Sequence, residues 1–146
     1  MKEIKSSAHV HWAGDLRNGR GMTTTESKVL DGAFYSVASR FEHGEGTNPE
    51  ELIAAAHASC FTMMLAKLLA DQKISVEELN TDATVVLEQQ NGQARITRID
   101  LKTSGKALGM SAEAFRKTAE QAKENCPVST LLKPGLKNIT LEAQLD

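Results

Sequence analysis

The chain holds two cysteines, Cys60 and Cys126, each in a setting that bears on thiol reactivity. Cys60 lies deep in an apolar run, after Leu52-Ile53-Ala54-Ala55-Ala56-His57-Ala58-Ser59, and Cys126 is followed by Pro127-Val128-Ser129. A thiol needs no companion to sit in a core, where it behaves as a small hydrophobe. A thiol that attacks an oxidant becomes a sulfenic acid, and a second thiol then closes a disulfide and prevents over-oxidation. The pair therefore suggests redox chemistry.

A thiol becomes a nucleophile only when its anion is stabilised, and arginine does this most dependably because it keeps its charge. Arg40, in Ser39-Arg40-Phe41-Glu42, is the leading candidate; its alternative reading is an exposed residue at a strand end, and Arg17 and Arg20 are alternatives in the first turn. Glu50 is placed to aim an arginine through a bidentate pair, or simply to favour the first turn of a helix. Ten positions separate Glu50 from Cys60, about 15 Å of straight helix at 1.5 Å per residue. Direct contact within one chain is therefore not expected. Three arrangements remain: Arg40 bridges part of the gap, the helix bends, or the site is shared across a dimer. His57, three residues before Cys60, is either a Cys–His partner or a satisfied core histidine. His9 and His11 share one strand face but lack a third metal ligand nearby in sequence. The cysteines form no Cys-x-x-Cys motif and no phosphate-binding glycine loop is present, so no metal or organic cofactor is expected.

The elements that must position these residues can be read from periodicity. Ala8, Val10 and Trp12 alternate with polar residues as a strand, Gly14-Asp15 and Asn18-Gly19 turn the chain, and partner strands are predicted over 21–29 and 33–40. Asn48 as N-cap, Pro49 at the first helical position and Glu51 as a capping-box partner mark a helix start. From Leu52 to Leu69 apolar residues occupy almost every face, which predicts a helix running through the interior. Ala83, Val85 and Leu87 alternate as a strand, Asn91-Gly92 signals a hairpin, and a return strand is expected over 95–103. A helix should run from Ser111 to about Asn125, interrupted by Pro127. If Asn125 caps a new short helix, the Cys126 sulfur lies at a helix N-terminus, which favours thiolate. Ile139, Leu141, Ala143 and Leu145 alternate as a closing strand. Strands clustered in hairpins argue for an α+β fold with largely antiparallel sheets. The apolar central helix wants more cover than a short chain supplies, which predicts a homodimer with two such helices packed together.

The totals narrow the function. A length of 146 residues fits one domain over residues 1–146. With 17 basic and 19 acidic residues the formal net charge is −2, so neither nucleic acid nor an anionic membrane is an expected partner. The N-terminal residues develop no apolar stretch of signal-peptide length, and the Leu52–Ala66 run reads as too short and too polar to span a bilayer. A cytoplasmic location is expected. There thiols stay reduced, which favours core or catalytic cysteines over a structural staple.

Arg40-Phe41-Glu42, Gly46-Thr47-Asn48-Pro49-Glu50-Glu51-Leu52, the cysteine ten residues after Glu50, and Cys126-Pro127-Val128-Ser129 together resemble the OsmC/Ohr family, in its osmotically inducible OsmC branch. The likeness covers nearly the whole chain. It implies a peroxidase reducing organic hydroperoxides, and hydrogen peroxide more weakly, with a thiol reductant such as a lipoylated protein or small dithiol. It implies that Cys60 attacks the peroxide, Cys126 resolves the sulfenic acid as a disulfide, and Glu50 orients an arginine, taken as Arg40 from the OsmC-like context. It also implies an intertwined homodimer of strand layers around central helices. Phe61, Met63 and Met64 near Cys60 would favour alkyl peroxides. The rival reading is a non-catalytic, stress-related ligand-binding dimer of the same fold.

Overall fold

The computed structural model describes residues Met1–Asp146, which divide by packing into two compact units, Met1–Leu52 and Ile53–Asp146. The secondary structure is α+β.

In the first unit, strands β1 (Ala8–Ala13), β2 (Arg20–Thr25) and β3 (Ala33–Tyr35) form an antiparallel sheet in that order. Gly21 is buried in β2 because the Tyr35 ring lies across it, where a side chain would collide. The expected strand over 33–40 stops early. Ser36 caps a short helix, α1 (Val37–Phe41): its hydroxyl accepts from the Ser39 N–H, and the Ser39 hydroxyl accepts from the Ser36 N–H. This reciprocal box turns the chain helical before the strand pattern can extend. Arg40 thus rides on a helix, not at a strand end.

Helix α2 (Pro49–Asp71) starts as expected, with the Glu51 N–H bonded to Asn48 Oδ1 at 2.7 Å. The second half of the capping box is absent: the Glu51 carboxylate instead accepts from the Thr47 hydroxyl at 2.9 Å. Beyond Leu52 the helix belongs to the second unit, whose core it builds with Phe61, Leu65 and Leu69, all fully buried. Full burial per large apolar side chain is worth about 1.5–3 kcal/mol. The helix does not run through the interior of the chain, however. Ala55, Ala56, Ser59 and Ala70 are exposed, and Met63 is 77% exposed. By length and composition α2 is also apolar enough to cross a membrane, contrary to the expectation from its polar residues. Its packed side marks it as a core helix, with one apolar face uncovered.

The long strands β4 (Ser75–Gln90) and β5 (Gln93–Leu108) pair antiparallel through the Asn91-Gly92 turn, whose residues take positive φ of 53° and 75° as a primed turn requires. Both outrun their alternating centres. Helix α3 (Ala112–Asn125), capped by the Ser111 hydroxyl, places Phe115, Ala119 and Ala122 in the core. Helix α4 (Pro127–Leu132) follows, and a 3-10 turn leads to β6 (Asn138–Leu145). β6 pairs with β5 in parallel, a departure from the antiparallel expectation. The helical crossover between them supplies the length a parallel connection needs.

Candidate functional site

The reactive residues form two groups, one in each unit. In the first unit, Arg40 and Glu50 are joined as anticipated. Arg40 Nε lies 3.1 and 3.2 Å from the two carboxylate oxygens, and Arg40 Nη2 lies 2.7 Å from Oε1. This forked contact fixes the guanidinium plane as well as its position. Glu50 is only 8% exposed, so its charge requires such a partner, while the Arg40 side chain remains 37% exposed. Arg40 also packs over the Phe41 ring at 5.2 Å. The alternatives are placed differently. Arg20 lies 5.3 Å over the Phe34 ring, and Arg17 is exposed in the first turn. The chain contains no cluster of three or more His, Cys, Asp or Glu side chains able to hold a metal, so His9 and His11 stand without a third ligand.

In the second unit, Cys60 and Cys126 are both free thiols, Cys60 half-buried and Cys126 fully buried. The Cys60 thiol is a near neighbour of the Cys126 thiol and of the Val128 backbone amide. Burial and then Cys126 push the Cys60 thiol above its ordinary value, and Val128 acts in the opposite direction. The short helix forms after Cys126 with Pro127 in its first turn, as expected, but the capping residue differs. Cys126, not Asn125, is the N-cap of α4, and its side chain makes no capping bond. The Val128 amide of that first turn lies by the Cys60 thiol and favours its anion.

His57 is fully buried, and its Nε2 shares a hydrogen bond with Ser129 Oγ at 2.7 Å. Its Nδ1 has no partner. Of the two readings of His57, the Cys–His pair fails, because neither ring nitrogen meets Cys60. Burial lowers the His57 pKa, so the ring is held neutral. Ser129 had no assigned role in the sequence. The signal was its position three residues after Cys126, mirroring His57 three residues before Cys60. The expected apolar lining is also revised: Phe61 turns into the core, and Met63 faces outward. Ala58, Ser59, Thr62, Met63, Ala66 and Thr81 line an open, mainly apolar depression on the uncovered face of α2.

A thiol in mid-helix beside one at a helix N-terminus, and a carboxylate-aimed arginine, have counterparts in known proteins. The family described as OsmC-like protein matches residues 42–141. The chain is 41% identical to Peroxiredoxin OsmC of Escherichia coli over 142 residues, 97% of each chain. It is 30% identical to organic hydroperoxide resistance protein OhrB of Bacillus subtilis over 128 residues, 86% of this chain and 91% of that one. The fold matches the crystal structure of an organic hydroperoxide resistance protein OsmC from Legionella pneumophila, with a TM-score of 0.73 over 99% of each chain at 22% identity. With a family match over most of its length and full-length identity to a curated relative, the chain belongs to the OsmC family.

Proposed function

We propose that this protein is a cysteine-based peroxidase that reduces organic hydroperoxides, and hydrogen peroxide more weakly, to alcohol and water. The carrying observation is the contact of Cys60 with Cys126 in a chain 41% identical to a peroxiredoxin. The Cys60 thiolate attacks the terminal peroxide oxygen, the O–O bond breaks, and the alkoxide leaves as alcohol. Cys60 is left as a sulfenic acid. Cys126 then attacks the Cys60 sulfur, hydroxide departs and takes up the thiol proton as water, and a disulfide forms. A thiol reductant, a lipoylated protein or small dithiol, reopens it.

The first step needs a thiolate, yet burial and Cys126 both favour the protonated form of Cys60. In this reading Arg40, aimed by Glu50, supplies the missing positive charge. The protein works as one domain in a cytoplasmic homodimer whose second copy covers the open face of α2. That face is apolar and accessible, and every fully buried apolar side chain belongs to the second unit, which supports a need for cover. A mixture of Cys60→Ala and Glu50→Ala subunits tests a shared site: recovered activity supports it, and none counts against it.

Intact mass tests the activity directly. Stoichiometric cumene hydroperoxide should remove two hydrogens from the wild type, whereas Cys126→Ser should gain oxygen on Cys60. An unchanged wild-type mass would sink the enzyme reading and leave the non-catalytic binding dimer.

A further inference from the structure

Helix α4 carries the residue that must meet a sulfenic acid, yet it is only six residues long and too short to hold itself in place. Its attachment to α2 has three polar links. Cys60 neighbours Cys126, the Val128 backbone amide neighbours the Cys60 thiol, and His57 Nε2 is hydrogen-bonded to Ser129 Oγ at 2.7 Å. The first two change when Cys60 is oxidised, because both end on its sulfur. The third does not. It joins side chains that are 0% and 2% exposed, and neither end is the reacting sulfur. Ser129 is also the one residue of α4 whose side chain bonds outside its own first turn, since the Thr130 hydroxyl returns to the Cys126 carbonyl.

The spacing makes this link a ruler. His57 is three residues before Cys60 on α2, and Ser129 is three residues after Cys126 on α4, so the fixed bond and the reacting sulfurs lie one helical turn apart on both elements. A slip of α4 along α2 would break the bond and withdraw Cys126 together.

We propose that His57 and Ser129 are a positioning pair for disulfide closure, holding Cys126 opposite Cys60 through the sulfenic intermediate. This rests on the peroxidase reading above. Neither residue touches the peroxide. Closure breaks the S–O bond of Cys60, forms the S–S bond and releases water, and the pair governs only how often the two sulfurs meet. Loss of the bond therefore leaves peroxide attack intact and slows closure, which gives a second peroxide time to carry Cys60 to the sulfinic acid.

The test times the two steps separately in Ser129→Ala and His57→Leu, following sulfenic acid by rapid trapping and closure by quenched intact mass. Peroxide attack should stay within about twofold of wild type, and closure should slow at least ~10-fold, as misplacement of reacting groups does. The sulfinic fraction should rise with peroxide dose. Ser129→Thr or His57→Gln, which keep a hydrogen-bonding group, should restore closure. Wild-type closure in folded Ser129→Ala overturns the proposal, as does equal slowing of both steps, which would mark a general structural role. A diamide arm separates this from the activity itself. If peroxide leaves the wild type untouched, the peroxidase reading fails, but diamide still forms the disulfide. Ser129→Ala should then need about tenfold less dithiothreitol for half-reduction, about 30 mV; equal midpoints overturn the pair.

Discussion

The Arg40–Glu50 pair and the Cys60–Cys126 contact are built by opposite means. Arg40 and Glu50 belong to a unit with no fully buried apolar side chain, and a forked ion pair holds them. The cysteines belong to the unit that owns the whole apolar core, with Cys126 itself part of it. Packing gives the thiols their precision and also raises the Cys60 pKa, because a dry environment disfavours an anion. The ion pair gains in the opposite way: Arg40 stays partly solvated and charged, but its geometry depends on one nearly buried carboxylate. Each region has what the other lacks. The core supplies proximity without charge, and the ion pair supplies charge without a nucleophile.

The largest effect should follow from removing the nucleophile. Cys60→Ser should lower hydroperoxide reduction at least ~1000-fold, as loss of a catalytic nucleophile does. Cys126→Ser should retain the first turnover and then stall in higher oxides, measured by peroxide consumption and intact mass. If Cys126→Ser lost the first turnover too, the roles assigned to the two thiols would collapse.

Next come the residues proposed to supply charge. Arg40→Met and Glu50→Gln should each slow peroxide attack by about 10- to 1000-fold, with each pKa unit on Cys60 equivalent to about 1.4 kcal/mol. The pH–rate profile should move to higher pH, since the thiolate would need more alkali to form. Arg40→Lys should rescue poorly, because an ammonium cannot reproduce the fork of three contacts to Glu50. Wild-type rates in Arg40→Met would assign the thiolate to another cation and break the comparison.

How much of this was legible in the sequence depends on the range of the force involved. The start of α2 was legible because Asn48 and Pro49 act locally, and the β4–β5 hairpin because Asn91-Gly92 dictates its own turn. The Arg40–Glu50 pair was legible as a charge complement. The helix bearing Arg40 was not: serine at the third helical position replaced the usual glutamate or glutamine of a capping box, and alternation suggested a strand. The parallel pairing of β6 was hidden because strand direction is set by the crossover, not by the strand's own residues. The His57–Ser129 bond lay beyond local reading, joining positions 72 residues apart.

Two glycines probe the units separately. In Gly21→Ala the new methyl group would enter the Tyr35 ring, and in Gly105→Ala it would lie 2.7 Å from Leu79 Cδ2 and 2.9 Å from Phe115 Cζ. Each should cost about 1–3 kcal/mol by overpacking, seen in denaturant midpoints. The consequences should differ. Gly21→Ala disturbs the unit carrying Arg40 and should lower peroxide reactivity while diamide still closes the disulfide. Gly105→Ala strains the core that places the thiols and should impair closure as well. Identical profiles for the two variants would argue against a division of labour.

The smallest effect concerns pH and stays within the second unit. His57 is buried neutral with its pKa below the ordinary 6.5, so the folded protein refuses a proton that the unfolded chain accepts. Its contribution to stability is present above pH 6.5 and is lost as the pH falls from there through the lowered folded value. Cys60 has the reverse sign. Its raised pKa keeps the proton in the folded state, so stability is present below the ordinary 9.0 and is lost as the pH rises through the folded value. The core that juxtaposes the thiols thus favours two uncharged groups and is weakened from both sides of neutrality. Asp15 and Asp100 are lowered from 3.8 and act only at more acid pH, so they do not mask the His57 step. Denaturant midpoints measured from about pH 4.5 to about 11 should fall on the acid side in wild type and flatten there in His57→Leu. The alkaline decline should persist in His57→Leu and shrink in Cys60→Ser; an acid decline that survives His57→Leu would place its origin outside this core.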